Sequence, residues 1–244
     1  IQMADKVTWS RALKSLKASL SEGAEADDWK TSYLRLLSTK EDISRVEESD
    51  SKDVVKSLLF NLGRGYSQIR AAQQWTSPII GNGGQPKASD YARGQIWRYL
   101  IGYSGWECCT KNLRIHQGSQ RSLFDDKIRL HPPILTPGQK SALLRWTKTY
   151  ASESDISVCS QDPDEILDFL GITAKGYRPF PNWLMGDNTA ITQPQILAVM
   201  RNIVAHGALS PSKANQWGLT RLYENGTKLF YPLFNRLLLR LYMG

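Results

Sequence analysis

Arg201, Asn202 and His206 stand together in one short stretch, TQPQILAVMRNIVAHGAL, spanning residues 192–209. Their types suggest one kind of chemistry. An imidazole titrates near neutral pH and can give or take a proton, while a guanidinium keeps its charge and offers a planar fork of donors suited to a phosphate. Asn202 can hydrogen-bond the same anion or fix the imidazole tautomer. With His206 in the last turn before Gly207, the negative end of a helix favours the protonated ring, which suits a general acid or a phosphate-binding cation.

The elements that must position these groups are legible nearby. Thr192 with Gln195 three residues on fits a capping box, and Pro194 falls in the first turn, where its missing N–H does no harm. Ile196, Leu197, Val199, Met200, Ile203 and Val204 then give the apolar stripe of a core-facing helix, and Gly207 supplies its stop. Asn202 and His206 are four apart and share a face. Arg201 precedes His206 by five and points about 140° away at 3.6 residues per turn, so a second copy or a kink is needed to bring the two onto one atom.

Arg201-Asn202-Ile203-Val204-Ala205-His206 resembles the R-N-x-x-x-H form of the Arg-(four to six residues)-His signature of HEPN domains. These are all-helical modules, frequently metal-independent ribonucleases, that often dimerise through this motif. The resemblance covers residues 192–210 by motif and about 40–244 by helix pattern alone. It implies an endoribonuclease that cleaves RNA by attack of the ribose 2′-OH, with Arg201, Asn202 and His206 as its catalytic set and no cofactor or metal. It also implies a homodimer, in which two Arg and two His share one cleft, and a toxin or defence role with an antitoxin or regulatory protein as partner. The competing expectation is a non-catalytic helical module that binds protein or nucleic acid, with the motif forming a polar network at a bundle or dimer seam.

The 244 residues, 41% of them hydrophobic and 10% aromatic, supply ample material for a core. A mean hydropathy of −0.39 and the lack of any uncharged apolar run of about eighteen residues argue against a membrane span. The opening IQMADKVTW has no apolar h-region, so a cytoplasmic location is the expectation. Three Cys, two of them the adjacent Cys108-Cys109, make no disulfide framework. His116 and His131 have no partner at metal-ligand spacing, and HExxH and CxxC are absent from the sequence.

The net charge of +8 is uneven. Residues 1–56 hold ten Lys/Arg against eleven Asp/Glu, so the other 21 basic and 12 acidic residues give the remainder +9. From Gln193 onward there are six basic residues (Arg201, Lys213, Arg221, Lys228, Arg236 and Arg240) and one acid, Glu224. A positive field draws a polyanion such as RNA; the alternative is solubilising charge on amphipathic helices. Lys213 and Arg221, with Lys175, Tyr177 and Arg178 from an aromatic loop read over Lys175–Asn188, are the candidate RNA contacts. That loop's Tyr177, Phe180 and Trp183 can stack on bases or plug into the core, the latter being the commoner use.

Along the chain, Trp9, Leu13, Leu16 and Leu20, then Trp29, Tyr33, Leu36 and Leu37, predict an N-terminal helical hairpin. A helix is expected from about 41 towards 75, its pattern interrupted at Gly63-Arg64-Gly65, which lacks the strand and Lys-Ser/Thr ending of a phosphate loop. Residues 77–86 read as a loop. A long helix follows from Ser89 to about Leu113; Glu107 lies inside its apolar stretch and is a candidate to orient Arg201 or His206, or else an exposed residue of the polar face. Thr136-Pro137 and Asp162-Pro163 start further helices. Beyond the motif, Ser210-Pro211 restarts a helix through Leu222, and Leu229–Met243 continues with Pro232 kinking it or in its first turn. The expected fold is all-α, an up-and-down bundle of four to five main helices, with residues 1–40 as a helical hairpin extension and 41–244 as the HEPN-like bundle.

Overall fold

Helix period dominates the structure as it does the sequence. A computed structural model describes residues 8–76, 87–115, 123, 136–153, 179–186, 191, 193–205, 207 and 209–243. These residues form ten α-helices and no strand: α1 (Trp9–Ser19), α2 (Gly23–Leu34), α3 (Lys40–Glu48), α4 (Ser51–Gln74), α5 (Ala88–Thr110), α6 (Pro137–Glu153), α7 (Pro179–Met185), α8 (Gln193–Ala205), α9 (Pro211–Gln216) and α10 (Thr220–Met243). The protein is all-α, as its periodicity predicts. None of these helices is long and apolar enough to cross a membrane.

The chain divides into two compact units. The first gathers residues 1–71, 104–128 and 229–244, the second residues 72–103 and 129–228.

In the first unit, α1 and α2 form the expected hairpin. Thr8 caps α1 by accepting from the Arg11 amide, and Trp9 stacks on Tyr66 at 5.2 Å between ring centroids, with Phe234 5.5 Å from Tyr66. The Trp29 indole donates to the Ser15 hydroxyl at 3.2 Å. Tyr33, buried, donates its phenol to the Leu113 carbonyl at 2.6 Å, tying together residues 80 apart; burial pushes that phenol's pKa up to about 12.

The single helix expected from 41 to 75 is two. Ser49 is extended, with ψ at 146°, and the Asp50 side chain accepts from the Lys52 amide while its carbonyl takes the Asp53 and Val54 amides. This is a complete helix start, so the chain breaks at an Asx turn within the seven polar residues that separate Val46 from Val54. Gly63-Arg64-Gly65, by contrast, interrupts nothing, because α4 runs through it. Gly65 serves packing. A side chain at Gly65 would lie 2.0 Å from the Cys109 sulfur and 2.7 Å from the Gly105 carbonyl oxygen, so two helix backbones touch there.

A polar knot also sits in this unit. Thr39 caps α3 by accepting from the Asp42 amide and donates its hydroxyl to the Asp42 carboxylate at 2.6 Å. That carboxylate also accepts from Arg114 at 2.7 Å and Arg45 at 3.3 Å. The Thr39 hydrogen bond, then Arg114, hold the Asp42 carboxyl below its ordinary value of 3.8. A depressed folded-state pKa means that the contribution to stability is complete above 3.8 and is lost as pH falls through the lower folded value. Asp42→Asn is therefore expected to melt below wild type at pH 7, with the difference shrinking as pH falls below the ordinary value of 3.8. Thermal melts across pH check this, and a gap that does not narrow with acid refutes it.

Candidate functional site

Helix α8 belongs to the second unit. Of its predicted apolar stripe Ile196, Leu197, Val199, Met200 and Ile203 are buried, as is Ala198, while Val204 at the C-terminal end is half-buried. The helix ends at Ala205, and Gly207 takes a φ of +77°, a left-handed conformation that costs an L residue about 1 kcal/mol or more. The Gly207 and Leu209 amides return to the carbonyls of Val204 and Ile203 at 3.2 Å each, closing the helix end.

Two buried tyrosines hold the middle of α8. Tyr99 donates to the Leu197 carbonyl at 2.6 Å and Tyr223 to the Met200 carbonyl at 3.4 Å. Their rings meet edge to face with centroids 5.3 Å apart. Burial raises both phenol pKa values, that of Tyr99 further through Tyr103 and Tyr223 with Arg201 acting the other way, so both stay neutral donors. Gly226 makes room for this arrangement, since a side chain there would meet the Tyr99 ring at 2.5 Å. Removing the buried Tyr99 hydrogen bond in Tyr99→Phe is expected to lower unfolding free energy by about 1 kcal/mol, read as an earlier urea midpoint. An unchanged midpoint contradicts the assigned anchor.

On the half-buried side of α8, Arg201 donates to the Asn202 side-chain oxygen at 2.8 Å and its guanidinium carbon lies 5.8 Å from the centre of the Tyr103 ring. Asn202 and the Tyr103 ring thus both contact the guanidinium, whose planar fork of donors is of the kind that recognises an oxyanion. His206, Lys175, Tyr177 and Arg178 lie outside the described residues, as do His116, His131 and the helix expected after Asp162. Glu107 is half-buried on α5 in the first unit, while Arg201, Asn202, Lys213 and Arg221 belong to the second. Lys213 is half-buried on α9, and Arg221 is exposed in the first turn of α10.

The loop expected over Lys175–Asn188 contains a helix, α7. Pro179 opens it, its missing N–H harmless at a first position, and Phe180 is wholly buried. Phe180 is thus a core residue. Trp183 stays half-buried with the Lys140 ammonium 4.3 Å from its ring centre. The helix expected from Ser210 through Leu222 is also divided: α9 stops at Gln216, Trp217-Gly218 turns, and α10 runs unbroken to Met243 with Pro232 inside it.

Sequence reasoning does not reach Tyr99, Tyr103 and Tyr223 as supports of the motif. The four-residue spacing of Tyr99 and Tyr103 marks one face of α5, but nothing in the sequence says which helix that face meets. Cys109 is fully buried, and burial foremost, then Cys108, raises its thiol pKa, which disfavours the reactive thiolate. No family model matches this chain, nor does any curated protein or solved structure compared with it.

Proposed function

We propose that the protein is a metal-independent endoribonuclease of the HEPN type, with Arg201, Asn202 and His206 as its catalytic groups. The observation that carries the reading is the preset Arg201 fork, 2.8 Å from Asn202 and set over Tyr103, five residues before the only histidine that follows it in the sequence. Pre-organisation of this kind favours a transition state that gains negative charge, because the donor is already aimed before charge develops.

In the proposed reaction a base removes the 2′-OH proton, the oxygen attacks the adjacent phosphorus, and Arg201 stabilises the phosphorane. The P–O5′ bond breaks as the 5′-oxygen takes a proton from a protonated His206, leaving a 2′,3′-cyclic phosphate and a 5′-hydroxyl. A homodimer supplies the second imidazole that one helix cannot aim at the same phosphorus. The six cations against one acid from Gln193 onward support an RNA substrate, and a toxin or defence role with a controlling partner protein follows from the same resemblance.

Incubating the protein with single-stranded RNA in EDTA is the test. Cyclic-phosphate ends, absent with a 2′-deoxy substrate, are the expected result; cleavage that requires added metal refutes the proposal. A second reading has its own observation: an arginine engaged by Asn202 and Tyr103 also suits a structural network in a binding module. RNA retained in EDTA without any cleavage selects that alternative.

A further inference from the structure

A cleft of about 740 Å³ opens in the second unit, lined by the start of α6, the Trp217-Gly218 turn and the first turns of α10. Its volume is within the roughly 300–1,000 Å³ of small-molecule sites. The α6 side is uncharged. Thr136 and Gln139 bond each other there, the Gln139 backbone amide donating to the Thr136 hydroxyl at 3.2 Å and the Thr136 backbone amide to the Gln139 side-chain oxygen at 3.0 Å.

The α10 side is different. Arg221, Asn225 and Lys228 recur at spacings of four and three and so share one face of the helix, with Glu224 beside them. Glu224 is occupied: it pairs with Lys228 at 2.7 Å and accepts from the Tyr91 phenol at 3.2 Å. Those bonds, with Lys228 the foremost, hold its carboxyl ionised below the usual range. Among the described residues the side chains of Arg221 and Asn225 make no hydrogen bond or ion pair. The cleft therefore combines an available guanidinium, an available amide and the half-buried indole of Trp217.

From this combination we infer that the cleft binds a nucleotide, its phosphate on Arg221, its base stacked on Trp217 and the base edge read by Asn225. Guanidinium, aromatic plane and amide are the three groups that respectively hold a phosphate, stack any base and pair with base donors and acceptors. The nucleotide is either free or one unit of a single strand. In the second case the cleft is a substrate subsite, which rests on the RNA-cleaving reading and deepens it.

Binding of adenosine 5′-monophosphate, by equilibrium dialysis, and of a labelled 2′-O-methyl hexanucleotide, by fluorescence anisotropy, separates these sources. The 2′-O-methyl strand cannot be cleaved through its 2′ oxygen, so the result does not depend on catalysis. Arg221→Gln is expected to weaken binding about tenfold and, on the strand, to reduce the salt slope by about 0.7. Trp217→Leu is expected to weaken it about tenfold with the salt slope unchanged, whereas Trp217→Phe retains most of the affinity. Matching helical signal and melting temperature confirm that each variant is folded. Tight binding of the strand alone makes the site a subsite, and binding of the mononucleotide makes it a ligand site.

The inference is overturned if the wild type binds neither probe, if Arg221→Gln or Trp217→Leu stays within twofold of wild type, or if inorganic phosphate competes as well as the mononucleotide. The two proposals fail separately. Loss of strand binding in Arg221→Gln in a protein that cleaves nothing keeps the cleft and removes the nuclease, and EDTA-resistant cleavage with an indifferent Arg221 does the reverse.

Discussion

Arg201→Ala is expected to cleave RNA in EDTA about 10²- to 10³-fold more slowly than wild type, the loss that follows removal of one preset donor to a developing oxyanion. His206→Ala is expected to lose at least as much, because proton transfer by a positioned imidazole supplies about 10²- to 10⁴-fold. The informative variant is Arg201→Lys. A lysine keeps the charge but replaces the planar fork, which reaches the Asn202 oxygen at 2.8 Å and stands 5.8 Å from the centre of the Tyr103 ring, with a point charge. If catalysis uses the fork, Arg201→Lys stays within about tenfold of the alanine variant. If only positive charge matters, lysine restores most of the rate and the assigned role of Asn202 and Tyr103 is wrong. Because Arg201 is only half-buried, both Arg201 variants should melt within a few degrees of wild type. Single-turnover rates, with product ends identified, give the answer, and wild-type activity in both alanine variants removes the nuclease.

The largest expected loss of stability lies elsewhere, at Gly65. A methyl group there would lie 2.0 Å from the Cys109 sulfur, 2.7 Å from the Gly105 carbonyl and 3.5 Å from the Cys109 amide nitrogen. The sulfur belongs to a buried side chain on α5, and the carbonyl is backbone, so neither can move without separating the helices. Overpacking of this sort costs about 1–3 kcal/mol, and the backbone clash sets Gly65→Ala at the upper end. The melting temperature is then expected to fall by roughly 5–10 °C. Gly63→Ala is the internal control, since its added carbon would meet only the Trp9 ring at an ordinary 3.6 Å. It should equal or slightly exceed wild type, because alanine favours helix over glycine by about 1 kcal/mol. Equal destabilisation by both changes would mean that the contact between the α4 and α5 backbones is misassigned.

Those two glycines show where reading the sequence stops. Both look like breaks in a helical pattern, yet one has room for a side chain beside a ring and the other permits a backbone contact with a residue 40 positions away. Local spacing cannot carry that information. The α3–α4 boundary is an intermediate case: no apolar residue falls between Val46 and Val54 and Asp50 is of a capping type, but the hydrogen bonds to Lys52, Asp53 and Val54 settle where the break falls. Phe180 and Trp183 divide similarly, their aromatic character plain but their degree of burial set by their surroundings.

The sequence by itself determined the helical class, the apolar stripe of α8, its stop at Gly207 and the adjacency of Arg201 and Asn202, because period, caps and neighbours are encoded within a few residues. Tertiary structure alone decided that Tyr103 would lie against the guanidinium, that Tyr99 would anchor Leu197 from 98 residues away, and that Arg221 and Trp217 would line one cleft. A helix face states that it must be covered but not by what. The partner is chosen by shape and by the need to satisfy each buried polar group, and both depend on the packed chain.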